Sequence, residues 1–471
     1  MRTGPGREAA MKYRIEHDTM GSMQVPENAY YAAQTQRAVE NFPVSGLRLQ
    51  PEFVSAQAII KRAAAKVNAD AGLLDRAVSQ AIMRAADEII AGQFADQFVV
   101  DVFQAGAGTS QNMNVNEVLA ARAAEIMGAA RGAVHPNDHA NMSQSTNDTI
   151  HAAIHIAGLA AVHSKLLPAL DELHAALARK AGEFDDVVKI GRTHLQDATP
   201  IRMGQLFSGY AAQIARARRR VESASEALRE LAVGGTAVGT GLNTPPGFRQ
   251  SMCTEISALT GLEFRIPENP FEAQHCFDAV VEVCGALRVL VTALRKIADD
   301  FRLLGSGPRT GLGELKLPPV QPGSSIMPGK VNPVMAEMLN MACFHALGLD
   351  AAIVAAAQAG QMELNVMMPV IAYDFLQEIQ ILAGAVRAFS NRCVNGLEAD
   401  REVCQRHAEM SNALATALAP EIGYARAADI AKKALDMNMT VREAARSENL
   451  MSDEKLDSLL NIKRMTEDPS F

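Results

Sequence analysis

Between Phe277 and Leu304 the apolar side chains fall at Val280, Cys284, Leu287, Leu290, Leu294, Ile297, Phe301 and Leu304. Steps of three and four keep one face of an α-helix apolar, here for about seven turns, against a usual helix of about 11–12 residues. Leu166, Leu170, Leu173 and Leu177 repeat the spacing. An alanine- and arginine-rich stretch over 204–231 predicts a third long helix, and 333–358 and 370–393 predict two more. Five long helices in the middle of one chain predict a bundle. Strand-like alternation is scarce. The expected class is all-α, in three domains: a mainly helical N-terminal domain over 1–145, a central long-helix domain over 146–400 and a small helical C-terminal domain over 401–471.

Composition adds three points. Alanine-rich stripes such as "AAQIARARRR" allow close approach but offer little side-chain area, at about 25 cal/mol per Å². Such a bundle is expected to bury its remaining apolar faces against other copies of the chain. The net charge of −8 over 471 residues leaves no basic footprint for nucleic acid. The six cysteines stand singly, as expected of reduced, buried thiols in a cytoplasmic protein. The most apolar stretch, 341–360, contains His345 and Asp350 and is not read as a membrane span. The head "MRTGPGREAAMKY" lacks the apolar core of a signal peptide and reads as an extension, with Met11 an alternative start.

Four polar, glycine-punctuated stretches interrupt the helical text: "QAGAGTSQNMN" (104–114), "HPNDHANMSQSTND" (135–148), "GRTHLQDATP" (191–200) and "GSSIMPGKVNP" (323–333). They are dense in hydroxyls and amides, nearly free of acidic groups, and the last ends in Lys330 and Asn332. Neutral donors with one lysine suit a small dianion, since they surround carboxylates without burying several charges. Any one stretch alone reads equally well as a loop with helix caps. "HAAIH" (His151, His155) has the spacing of a zinc pair but no HExxH glutamate or nearby third ligand. "GAGTS" and "GGTAVGTG" lack the lysine of a phosphate loop, and no GxSxG elbow is present.

"GSSIMPGKVNP" resembles the signature of the aspartase/fumarase superfamily. "RIEHDTMG", "VPENAYYAAQTQRAVENFPVSG", "GTSQNMNVNEV", "SQSTND", "GRTHLQDATP", "GTAVGTGLNT", "SGPRTGLGEL" and "ELNV" resemble further family segments, in the family's order. The resemblance implies a homotetramer whose central helices form a twenty-helix core, with each active site built from three subunits. It implies cleavage of a C–N or C–O bond β to a carboxylate, with no cofactor and no metal. By matching position, Ser324 is the general base and Lys330, Asn332 and Thr193 bind one substrate carboxylate. Thr109, Ser145, Thr146 and Ser325 hold the other carboxylate and its doubly negative aci form. Asn147 and the catalytic His194 contact the departing group. "HPNDH" resembles a peripheral anion site, and Asn112 and Asn114 read as loop braces.

The segments divide between members. Thr146 in "SQSTND", "GAGTSQNMN", "DQFVVDVFQAGAGTS" and "AGQMELNVMMPV" resemble aspartases, whereas "DTMG", "AQTQR", "SGPRTGLGEL" and "IGYARAADIAKKA" resemble fumarases. Met368 stands where aspartases often carry an acid, and "ATALAPEIGY" lacks the usual asparagine before its proline. Because the residues nearest the leaving group side with aspartase, the expected activity is aspartate ammonia-lyase, releasing fumarate from L-aspartate. Class II fumarate hydratase, or a lyase of another substituted succinate, is the alternative. A non-catalytic structural relative is the remaining reading, though Ser324, His194 and Lys330 are all present.

Overall fold

A computed structural model describes residues 12–467, so the expectations for the first eleven residues lie outside it. The chain is mostly helical, at 62%. The five long helices are Thr146–Ala161, continued through a π turn into Leu167–Glu183, then Met203–Ser225, Asp278–Leu304, Val334–Ala357 and Met368–Arg392. The chain divides into two compact units, and the division falls inside all five of these helices. The first unit holds residues up to Leu167, Arg220–Arg288 and His345–Ile381. The second holds Pro168–Arg219, Val289–Phe344 and the chain from Leu382 onward.

In the first unit, helices Pro51–Asp70, Arg76–Ile90 and Thr109–Ile126 share a core of Val54, Ala58, Ile82, Ala85, Val115 and Leu119. Asp75 starts the second of these by accepting the amides of Ala77 and Val78. Two long helices meet where Gly158 lies against Phe375. A Cβ at 158 would sit 2.3 Å from that ring, so only glycine allows the approach. In the second unit Phe184, Phe207, Tyr210, Phe301 and Phe389 pack ring against ring, with adjacent centroids 5.1–6.0 Å apart.

Two of the polar stretches are more regular than their composition indicates. Ser110 to Asn116 form the first turns of the buried helix Thr109–Ile126. Asn114 accepts from the Val99 amide and donates to the Gln97 carbonyl, while Gln111 donates to Gln57 and Asn112 and Asn116 donate to Asn141. Residues 191–200 lie in an antiparallel hairpin of Val188–Thr193 with Gln196–Arg202. Two helices, Thr146–Glu183 and Val334–Ala357, are long and apolar enough to cross a membrane. The first is a core helix, with 72% of its most apolar window buried, against 39% for the second.

Candidate active site

The proposed carboxylate and leaving-group residues Thr109, Ser145, Thr146 and Asn147 belong to the first unit, at the N-terminal ends of two helices. Ser145 caps Thr146–Ala161 through a reciprocal box: its Oγ accepts the Asn147 amide at 3.2 Å, and Asp148 accepts the Ser145 amide at 3.0 Å. The hydroxyl of Ser145 therefore keeps its own proton to donate. Thr146 Oγ1 accepts from Asn112 Nδ2 at 3.1 Å and keeps its proton in the same way. Asn147 spends Nδ2 on the Ala237 carbonyl at 2.8 Å, leaving Oδ1 as an acceptor. Two hydroxyl donors at a positive helix end suit a carboxylate, and an amide acceptor beside them suits an O–H or N–H leaving group.

Asp148 is fully buried and holds the neighbouring glycine-rich loop by accepting the Gly234 amide at 2.9 Å and the Thr236 amide at 3.0 Å. Burial pushes its carboxyl up to about 6, against the opposing pull of those amides and of Lys61. The two histidines of "HAAIH" lie inside the same helix, with His151 bonded to the Cys276 carbonyl and His155 to the Glu230 carbonyl, each at 2.8 Å.

In the second unit, Thr193 and His194 occupy an exposed hairpin tip. His194 (φ 54°) and Leu195 (φ 60°) form its two-residue turn, and neither is glycine. Left-handed backbone at such residues is costly and persists only where the surroundings impose it. The strand entering the turn is anchored two residues before His194. Arg192 donates to Glu314 at 2.7 Å, and Glu314, fully buried, also pairs with Lys189 at 3.1 Å and meets His407 Nδ1 at 3.1 Å.

Ser324, Ser325, Lys330 and Asn332 sit on a closed loop in this unit. The Gly323 amide donates to the Lys330 carbonyl at 2.8 Å, and Asn332 Nδ2 donates to the Gly323 carbonyl at 2.6 Å, so the loop's two ends are pinched together. A Cβ on Gly323 would lie 2.3 Å from the Lys330 oxygen. The loop borders an open recess of about 490 Å³ whose lining includes Ser324 and Lys330. Ser324 Oγ accepts two backbone amides, from Ile326 at 3.2 Å and Met327 at 3.0 Å. Two fixed N–H donors on one hydroxyl oxygen favour its deprotonated form. Among the described residues, His194 and Ser324 share no hydrogen bond, and no group of three His, Cys, Asp or Glu residues is placed to hold a metal ion.

A reading of motifs passed over three structural contributors: Lys61, Asp148 and Glu314. Lys61 had a signal, since Val54, Ala58, Lys61 and Ala65 follow the helical spacing and put an ammonium on an apolar stripe.

A helical scaffold carrying hydroxyl-lined helix ends and a serine–lysine loop suits a lyase, the class that the family match assigns. Residues 21–348 match the model described as Lyase, and 414–467 match that of the fumarase C C-terminus. The chain belongs to the aspartase/fumarase superfamily. It is 52% identical to the class II fumarate hydratase of Halobacterium salinarum over 456 residues, covering 96% of this chain and 97% of that one. The class II fumarate hydratase of Thermosynechococcus vestitus is 47% identical over 455 residues, with the same two coverages. Among solved structures, recombinant class II fumarase from Schistosoma mansoni matches with a TM-score of 0.94 at 39% identity, covering 97% of this chain and 99% of that one. The cobalt-bound fumarate lyase:delta crystallin of Brucella melitensis matches with a TM-score of 0.94 at 45% identity, covering 97% and 100%.

These relatives overturn the expectation of an aspartate ammonia-lyase. Parts of the segments that pointed to aspartase are scaffold. Ser110–Asn116 are buried in a helix, Asn365 binds the Ala356 and Ala357 carbonyls at 3.0 Å, and Met368 is fully buried. Thr146 presents a hydroxyl, as a serine would. None of these groups reports whether nitrogen or oxygen departs.

Proposed function

We propose that the chain is a class II fumarate hydratase, a carbon–oxygen lyase interconverting L-malate and fumarate. The observation that carries this reading is the pair of fumarate hydratases at 47% and 52% identity over nearly the whole chain. The local chemistry agrees with it. In the malate direction, Ser324 as an alkoxide takes the C3 proton, and the electron pair passes into the adjacent carboxylate to give a doubly negative aci form. That form collapses to the double bond as the C2 hydroxyl departs as hydroxide, and proton exchange with solvent then returns Ser324 to the alkoxide and hydroxide to water. Thr109, Ser145, Thr146 and Ser325 hold the aci carboxylate, and donors aimed at developing charge commonly contribute several kcal/mol. Lys330, Asn332 and Thr193 hold the other carboxylate, while Asn147 and His194 meet the hydroxyl.

The same reading includes a cytoplasmic homotetramer with the three-domain division 1–145, 146–400 and 401–471, each site drawing on three subunits. The half-exposed apolar helix Val334–Ala357, with Met341 63% and Phe344 52% exposed, favours burial against another copy.

The deciding assay follows the ultraviolet absorbance of fumarate on L-malate and L-aspartate side by side. Absorbance should rise with L-malate and stay flat with L-aspartate, and the reverse pattern would overturn the assignment. Mixing inactive His194→Ala and Ser324→Ala enzymes under conditions of subunit exchange should restore part of the activity. Demonstrated exchange without recovery would exclude a site shared in this way.

A further inference from the structure

Lys61 is buried to 1% exposure, on the face of Pro51–Asp70 that otherwise contributes valine and alanine to the core. Enclosing an ammonium is costly unless its environment or a function compensates. Among the described residues it donates one hydrogen bond, from Nζ to Asn141 Oδ1 at 2.8 Å. The same oxygen accepts from Asn112 Nδ2 and Asn116 Nδ2, each at 3.2 Å. Asn112 Nδ2 also reaches Thr146 Oγ1, and Asn68 fixes the intervening loop through Ser143 Oγ at 2.8 Å and the Met142 carbonyl at 3.0 Å. A buried cation thus stands two amide side chains behind a hydroxyl of the carboxylate-binding set.

We infer that Lys61 is a positioning residue of the dicarboxylate site, orienting the Thr146 hydroxyl through Asn141 and Asn112 and placing a protonatable amine behind residues 145–147. The inference rests on the hydratase reading above and goes beyond it by assigning a group that never touches substrate. Asp148, fully buried, is the charged group acting on Lys61, and it is occupied by three backbone amides. Burial brings the ammonium down to about 7, against the pull of Asp148. A dianion bound nearby therefore favours its protonated form.

The test compares Lys61→Met, Lys61→Gln and Asn112→Ala with the wild-type enzyme, reading kcat and KM for L-malate and succinate binding by calorimetry. Lys61→Met should raise KM about tenfold and lower kcat at least as much, the scale of a lost hydrogen bond to a charged group. Lys61→Gln keeps a donor to Asn141 and should recover part of the loss. A merely structural role would reduce the active fraction and leave KM unmoved. At about pH 8, succinate binding to the wild type should take up protons, and Lys61→Met should abolish the uptake. A folded Lys61→Met enzyme with KM within about twofold of wild type would overturn the inference. Should that variant fail to assemble, Asn112→Ala decides by the same KM criterion, because it cuts the relay and leaves the lysine intact. Failure of the hydratase reading looks different: the wild type itself then neither turns over L-malate nor binds succinate, and the inference goes with it.

Discussion

Ser324→Ala is expected to lower L-malate turnover by at least about three orders of magnitude, equivalent to about 4 kcal/mol of transition-state stabilisation. A free serine is a very weak base near neutral pH. Here its oxygen already accepts the Ile326 and Met327 amides, on a loop whose recess also presents Lys330. On the proposed assignment those groups stabilise an alkoxide, and removing the oxygen leaves them with nothing to stabilise. Affinity should change far less, because the carboxylates are gripped by other residues and the alkoxide acts mainly as the proton leaves. Lys330→Ala should instead weaken binding and turnover together, since it meets charge present throughout the reaction. Single-turnover kinetics and succinate calorimetry on both variants separate these patterns. A Ser324→Ala enzyme keeping more than about a tenth of wild-type turnover would mean that another group is the base.

The long helices were legible because burial along them is periodic. The stripe from Val280 to Leu304 predicts a helix over 277–304, and the structure has Asp278–Leu304. The hairpin carrying His194 was not legible. Its strands are short, a bulge near Gly191 breaks their alternation, and two non-glycine residues make its turn. Nor was the helix from Thr109, because asparagine and glutamine inside a helix are normally surface signals, and here partners distant in sequence satisfy them.

At the candidate site the motifs single out hydroxyls but do not say which element departs. On the proposed assignment the choice between ammonia and water falls to Asn147 and His194, which meet the departing group. On the same assignment Thr146 and Ser145 hold a carboxylate common to both reactions, so a serine or threonine there carries little information. Residues such as Lys61 and Glu314 act through others, and their partners lie dozens of positions away: Asn141 for Lys61, Lys189 and Arg192 for Glu314. Pairings at that separation leave no local pattern.

Glu314→Gln is expected to destabilise the protein by about 3–5 kcal/mol, the cost of removing one partner from a buried ion pair. Glu314 is fully buried, the Lys189 side chain is 4% exposed and that of Arg192 14%. The substitution keeps the shape and leaves two cations uncompensated. Burial works to raise the Glu314 carboxyl, but Lys189, His407 and Arg192 outweigh it and hold the group below its ordinary value. A folded-state value below the unfolded one means the stabilisation is present above the ordinary glutamate range and is lost as the pH falls through the folded value. The wild type should therefore lose more stability than Glu314→Gln on acidification across that interval, and the two denaturation curves should converge. Activity should suffer as well, since Arg192 restrains the strained turn that carries His194. Adding Lys189→Met to Glu314→Gln removes one stranded cation and should restore part of the stability, an interaction that a double-mutant cycle reads directly. Denaturant midpoints for Glu314→Gln equal to those of the wild type, at neutral and acid pH alike, would show that this buried cluster does not anchor the hairpin.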